Sequence, residues 1–311
     1  MKRPTVNHPT VILNCKRASA YAAALFCVAG TLSSAPVIAG PELGAAVVTE
    51  YDSNILPEAG ITTQNQGDWA TGTSAYLGWE SKIKRGFEWQ GRYEYSATRW
   101  QQAAEFDTDL QTGYLRLGYN RGAHTTDLVA LMASADLQGQ PFMTLRRLSP
   151  AYGYFLTSQW YVRAQVDIGD KTFEIYPERD ANQLGARANV FWLLNRTSHY
   201  VSLRGVFRNE NTRSEPYGYQ SFNSRLRWKY RVGDLSLMAQ GAWEVRSYEA
   251  VWTDIGERRR DNRIRVSTGL EYPLWWGMTL EAEAGRDMYQ SNLPAADYQQ
   301  YRFKLGLNWD Y

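Results

Sequence analysis

The final residues of the chain, "YRFKLGLNWDY" (301–311), keep a strict two-residue rhythm. Tyr301, Phe303, Leu305, Leu307, Trp309 and Tyr311 alternate with Arg302, Lys304, Gly306, Asn308 and Asp310. Side chains on a strand point alternately to its two faces, so this segment reads as a strand with one apolar and one polar face. The same period recurs upstream. In "RLRWKYRV", Leu226, Trp228, Tyr230 and Val232 oppose Arg225, Arg227, Lys229 and Arg231. In "RIRVSTGLEY", Ile264, Val266, Thr268, Leu270 and Tyr272 oppose Arg263, Arg265, Ser267, Gly269 and Glu271. "MTLEAEAG" sets Met278, Leu280, Ala282 and Ala284 against Thr279, Glu281, Glu283 and Gly285, and "FEWQGRYEYS" follows the same rule. The pattern predicts strands near 42–50, 70–82, 86–97, 108–120, 124–135, 142–155, 159–169, 182–194, 198–209, 221–232, 234–247, 259–272, 277–288 and 298–311, about fourteen in all.

The links between them alternate in length. Short turns fall near Lys84–Gly86, Asn120–Ala123, Thr157–Ser158, Asn195–Thr197, Gly233 and Pro273–Gly277. Mostly longer polar links fall near 51–69, 98–107, 136–141, 170–181, 210–220, 248–258 and 289–297. A soluble sandwich need not segregate its loops in this way, and it would bury a β-branched core rather than faces rich in Trp, Tyr, Leu and Ala. The expected fold is all-β: a transmembrane, up-and-down, antiparallel β-barrel of about fourteen strands, with tight turns on the periplasmic side. Such a barrel cannot leave an unpaired edge in hydrocarbon, so its last strand must pair with its first. A closing strand that ends in Trp309 and Tyr311 looks like the aromatic signal by which outer-membrane barrels are recognised for assembly. The expected partners are therefore outer-membrane lipid and, through that strand, the barrel-assembly machinery.

The beginning of the chain fits an exported protein. Lys2, Arg3, Lys16 and Arg17 precede the apolar stretch 18–35, and Val37 and Ala39 occupy the small-residue positions of a cleavage site. This divides the sequence into a signal peptide, 1–39, and a barrel, 40–311. Both cysteines, Cys15 and Cys27, lie in the segment to be removed, so no disulfide, thiol nucleophile or cysteine metal site is expected in the mature chain. The formal net charge of +2 gives no electrostatic reason to expect nucleic acid as a partner. An aromatic content of 14% in a polar, exported chain points to the bacterial outer membrane.

Three stretches carry more than the generic pattern: "EYDSNIL" (50–56), "YPERDANQLGARANVFW" (176–192) and the segment 258–309, with its "SNLPAADY" loop before the last strand. They resemble the barrel domain of surface lipoprotein assembly modifiers. The resemblance implies a fourteen-stranded barrel that helps lipoproteins reach the cell surface. Members of that family carry a helical tetratricopeptide domain before the barrel, whereas here strands are expected directly after the export segment. That departure leaves lipoprotein cargo as an expectation of the resemblance alone, and makes a separate periplasmic chain the partner that such an assembly would need.

The polar faces set the candidate chemistry. Arg225, Arg227, Lys229 and Arg231 are expected in the lumen, with Arg263, Arg265, Arg302 and Lys304 on later strands. Glu244, Glu271, Glu281 and Glu283 share that interior. Arginine binds carboxylate and phosphate through paired N–H groups, so a cationic wall favours anionic solutes. The competing expectation is a set of interior ion pairs that holds the barrel shut, as a structural or partner-binding body. A passive, anion-preferring porin is the simplest transport form. No catalytic residue, metal site or cofactor is expected. Beyond the export segment only His124 and His199 remain, both at predicted periplasmic turns, far from any outer-leaflet substrate.

Overall fold

The computed structural model describes residues 40–55, 67–82 and 86–311; the expected signal peptide lies outside them. Fourteen strands follow one another: β1 Gly40–Asp52, β2 Asp68–Lys82, β3 Phe87–Trp100, β4 Thr108–Arg121, β5 His124–Leu137, β6 Gln140–Phe155, β7 Trp160–Phe173, β8 Ala181–Asn195, β9 His199–Thr212, β10 Tyr219–Val232, β11 Leu235–Trp252, β12 Glu257–Pro273, β13 Met278–Ser291 and β14 Tyr298–Asp310. Each pairs antiparallel with its neighbours in sequence, and β14 returns to β1 to close the barrel.

The alternation sorts the side chains inside out relative to a soluble protein. Leu77, Leu115, Met132, Ile168, Leu184, Leu203, Leu226, Val266 and Leu305 are all exposed on the outer face. Asp127, Asp167, Asp287 and Arg265 are buried on the inner one. Hydrocarbon solvates the first set; the second must solve its charge problem inside. Aromatic pairs gather at the end that holds the chain terminus and the tight turns. Trp160 stacks on Trp192 at 5.7 Å, Trp228 on Tyr230 at 5.9 Å and Trp309 on Tyr311 at 6.1 Å. Such rings anchor a barrel at the membrane interface, with an apolar end in lipid and a polar edge in water.

One link differs from expectation. The stretch 136–141, expected among the longer links, is a two-residue turn joining β5 directly to β6. Gln138 (φ 53°) and Gly139 (φ 71°) both adopt positive φ. That geometry matches the right-handed twist of the flanking strands, and so permits the tightest hairpin. A bulge lies beside it: Ala135 pairs with Met143 and Asp136 with Pro141. Other links at this end share a device. Short 3-10 turns at Ala104–Phe106 and Pro177–Arg179 each precede an aspartate. Asp107 accepts the N–H of Trp100 at 2.8 Å, and Asp180 that of Phe173 at 2.8 Å, satisfying a donor at the end of the incoming strand.

The seam runs from Gly44↔Asp310 to Asp52↔Arg302. It is extended by backbone hydrogen bonds between Leu43 and Tyr311, at 3.1 and 2.8 Å. Lys304 crosses it inside the lumen to Glu50 at 2.6 Å. The Tyr311 ring touches little protein beyond Trp309 and is 83% exposed, which suits an interfacial anchor. Changing Tyr311 to Lys is expected to lower the yield of assembled barrel severalfold, read as the compact unboiled band on a gel, with synthesis unchanged. Equal yield would show that the ring has no such role.

Candidate functional site

The candidate site is the lumen wall, and register decides which charges meet there. Asp287 on β13 is fully buried and draws three guanidiniums from two neighbouring strands: Arg263 at 2.7 Å and Arg265 at 2.7 Å from β12, and Arg302 at 3.1 Å from β14. Arg263 also lies over the ring of Tyr289 at 4.3 Å. A single carboxylate thus organises the arginines of β12 and β14. Lys229 pairs with Glu271 at 2.8 Å. Glu244 stands opposite Asn223, not Arg225, and is engaged by Arg246 of its own strand at 2.9 Å. Arg231, at the periplasmic end of β10, reaches Asp234 only at 3.9 Å.

Further pairs close other stretches of wall. Asp127 binds both Arg116, at 2.7 Å, and Arg163, at 2.6 Å, and Arg116 continues to Glu88 at 2.6 Å. Arg187 meets Asp167 at 3.1 Å. Higher in the barrel Lys171 pairs with Glu210 at 2.7 Å; Glu210 also accepts from Gln183 and from Tyr219. All these groups are buried or partly buried, where an unpaired charge is costly and a paired one tolerable.

The exception is a cationic ladder on β6, β9 and β10. Among the described residues, Arg147, Arg204, Arg208 and Arg227 form no ion pair with a carboxylate. Arg204 donates to Asn189 at 2.9 Å and Arg227 to Gln240 at 3.3 Å, both neutral amides. In register, Arg204 stands directly opposite Arg225. The charges acting on Arg204 are those of Arg187, Arg225 and Arg227, all of its own sign. Arg147 feels Arg187 and Arg208 as well as Asp167.

Carboxylates gather near the periplasmic ends of β12, β13 and β2. Glu281 faces Glu271 across β12 and β13, and Glu283 stands opposite Lys304, whose ammonium is instead turned to Glu50. Glu281 and Glu283 are both exposed to the lumen. Glu80, near the end of β2, has Glu42 and Glu88 as its nearest like charges.

Of these residues, Arg147, Arg208, Asp287, Asp127, Lys171 and Glu210 are ones that the sequence alone did not single out. Arg208 continues the alternation of Arg204 two steps further on, a signal that was there to use. Arg147 follows Arg146 in "LRRLSP", so the local pattern does not say which arginine points inward. Asp287 is masked in the same way by Arg286. His124 and His199 sit at the periplasmic ends of β5 and β9, bonded to Tyr152 at 2.6 Å and to Trp228 at 3.3 Å. They belong to the aromatic belt.

The extracellular mouth is narrowed by rings and guanidiniums. Arg179 lies between Tyr176 and Tyr217, at 5.3 and 4.8 Å from their centroids. Arg246 covers Tyr219 at 4.4 Å, and Arg259 covers Tyr248 at 4.7 Å and Trp252 at 5.2 Å. Phe142, Met143 and Phe173 pack beside this stack. Each cation is held against an aromatic face, an arrangement that fixes the loops.

The closed fourteen-strand ring, its lipid-facing apolar surface and its charged interior define an outer-membrane β-barrel. No family model matches the chain, and no curated protein sequence matches it. Solved structures with this fold are found. An anion-selective porin from Comamonas acidovorans is 8% identical, with a TM-score of 0.53 over 88% of this chain and 99% of that one. A loop L8 deletion mutant of OmpT, an outer membrane protein of Vibrio cholerae, is 9% identical, with a TM-score of 0.53 over 88% and 99% of the two chains. At such identities the likeness is one of fold.

Proposed function

We propose that this barrel is a passive diffusion channel for small anionic solutes, with the ladder Arg147–Arg204–Arg208–Arg227 as its selective wall. The observation that carries this reading is the contrast within one lumen. Most interior cations are matched to a carboxylate, while these four form no ion pair among the described residues, and Arg204 and Arg227 donate to neutral amides. Their repulsion is relieved whenever an anion passes, so the ladder lowers the energy of an anion in transit and raises that of a cation. Guanidinium groups bind carboxylate and phosphate through two parallel N–H bonds, which favours oxyanions over halide of the same charge. The likeness in fold to an anion-selective porin is compatible with this reading and adds no residue-level support.

Proteoliposomes test it. Swelling in an anionic monocarboxylate is expected to be several times faster than in a cationic amine of similar size. Equal rates, or faster entry of the amine, would refute the anionic channel.

A second reading has its own observation. The segment 258–309, which resembles surface lipoprotein assembly modifier barrels, is also where the cations are most completely gathered, on Asp287. In that reading the barrel is a neutralised scaffold that works with a separate periplasmic partner on lipoprotein cargo. Proteoliposomes that show no solute entry would favour it over the channel.

A further inference from the structure

The outward face of β11 to β14 turns polar toward its extracellular end. Above the lipid-facing Ile264, Val266, Phe303 and Leu305, the outer positions turn polar and are tied together. Trp243 Nε1 donates to Asn262 Oδ1 at 2.7 Å, and Asn262 Nδ2 donates to Gln290 Oε1 at 3.0 Å. Arg286 donates to Gln299 at 2.5 Å, with its guanidinium 5.3 Å from the ring of Tyr301. Next to this ladder, at the extracellular rim, lies a hollow of about 640 Å³ whose walls include Glu257, Arg260, Asn262, Gln290, Asn292 and Asp297.

Three exposed arginines, Arg258, Arg260 and Arg286, belong to this face, and among the described residues none has an ion pair. Arg99, outward on β3, is by contrast paired with Asp109 at 2.6 Å. A guanidinium at the boundary of hydrocarbon and water is stabilised by an anion, and the anions at that depth are lipid phosphates. The rest of the lining narrows the headgroup. Glu257 and Asp297 would repel a bare phosphate but accept hydrogen bonds from hydroxyls. Asn262 and Gln290 carry amides that can bond a sugar, while Asn292, donating to Glu257 at 3.0 Å and to the Arg258 carbonyl at 2.9 Å, fixes the lining. A mixture of arginine, amide and carboxylate fits a phosphorylated saccharide better than a small phosphodiester headgroup.

We propose that the outer face of β12–β14 binds one phosphorylated glycolipid of the outer leaflet. Its phosphates meet Arg258, Arg260 and Arg286, its sugar hydroxyls meet the amide and carboxylate lining of the hollow, and its acyl chains lie on Val266, Phe303 and Leu305. The bound lipid completes the wall where the protein's own surface is too polar for hydrocarbon.

The test is a native mass-spectrometric titration of the full barrel in detergent. The probes are an acylated, bis-phosphorylated glucosamine disaccharide, its dephosphorylated form, phosphatidylglycerol and inorganic phosphate. The parent is expected to retain the bis-phosphorylated glycolipid, with the dephosphorylated form at least about tenfold weaker. The triple variant Arg258→Gln, Arg260→Gln, Arg286→Gln is expected to lose about tenfold or more, and Arg99→Gln to bind as the parent does. Unboiled gel mobility checks that each variant is closed. If the triple variant does not assemble, Arg260→Gln alone, at an exposed rim position, is expected to weaken retention about threefold. The proposal is overturned by undiminished binding in the assembled triple variant, or in Arg260→Gln where that variant stands in for it. It is also overturned if phosphatidylglycerol is retained as strongly, or if equimolar inorganic phosphate displaces the glycolipid, since either would reduce the face to a general anion patch. Absence of any glycolipid adduct on the parent would overturn it as well.

Discussion

Replacing Arg204 and Arg227 with glutamine is expected to cut the anion-over-cation permeability ratio severalfold. A unit charge about 7 Å from a passing ion contributes roughly 0.6 kcal/mol even in bulk water, a factor of about three per charge. Screening at physiological salt reduces this, and the low dielectric of the wall restores part of it. The two residues are suitable because their partners, Asn189 and Gln240, are neutral and lose no ion pair when the charge is removed. A charge-neutral control separates ladder from bulk effects. Removing Lys229 and Glu271 together, both to Gln, abolishes a matched pair at 2.8 Å and is expected to leave the ratio nearly unchanged. Equal shifts in the two double variants would show that selectivity does not come from the ladder. Because lumen changes tune selectivity rather than insertion, both proteins are expected to assemble.

Asp287→Asn is expected to have the largest effect on stability. The carboxylate is fully buried and holds Arg263, Arg265 and Arg302. Neutralising it leaves three guanidiniums facing one another without the carboxylate they share. Breaking a buried pair by removing one partner costs about 3–5 kcal/mol, and here three cations lose the same partner. The temperature at which the unboiled band converts to the unfolded one is expected to fall markedly. Adding Arg263→Gln to Asp287→Asn is expected to recover part of the loss, because it removes one of the repelling charges. A melting transition unchanged by Asp287→Asn would mean that water, not Asp287, balances the cluster.

These expectations differ in how far the sequence foretold them. The barrel was legible because its determinants are local. Alternation along one strand says which side chains share a face, and the closing strand declares itself by an aromatic end. Cross-strand register is not local. Arg225 and Glu244 lie on adjacent strands and share a face, yet the pairing sets Ala242 opposite Arg225 and Asn223 opposite Glu244. A two-residue slip would have joined them. Where two charged residues are adjacent, as in Arg146–Arg147 and Arg286–Asp287, even the face was ambiguous, and those pairs supplied a rung of the ladder and the hub of the ion-pair cluster. The turn at Gln138–Gly139 escaped for a related reason: it lacks the Asn-Gly or Asp-Gly pair that usually announces two consecutive positive φ angles.

The lipid-facing arginines fit the same physical scheme. Inside, most cations meet a carboxylate, except along the ladder. Outside, Arg258, Arg260 and Arg286 form no ion pair among the described residues, and in the proposal above a lipid phosphate supplies the counter-charge.

The most direct test of the ladder is the reversal potential of the unmodified barrel in a planar bilayer across a tenfold gradient of potassium chloride. The two ions have nearly equal mobility in water, so any offset reports the protein. Selection by Arg147, Arg204, Arg208 and Arg227 predicts a reversal potential on the chloride side of zero. It also predicts a larger offset when the gradient is made at lower total salt, where screening is weaker. A reversal potential at zero, or on the potassium side, would contradict the account.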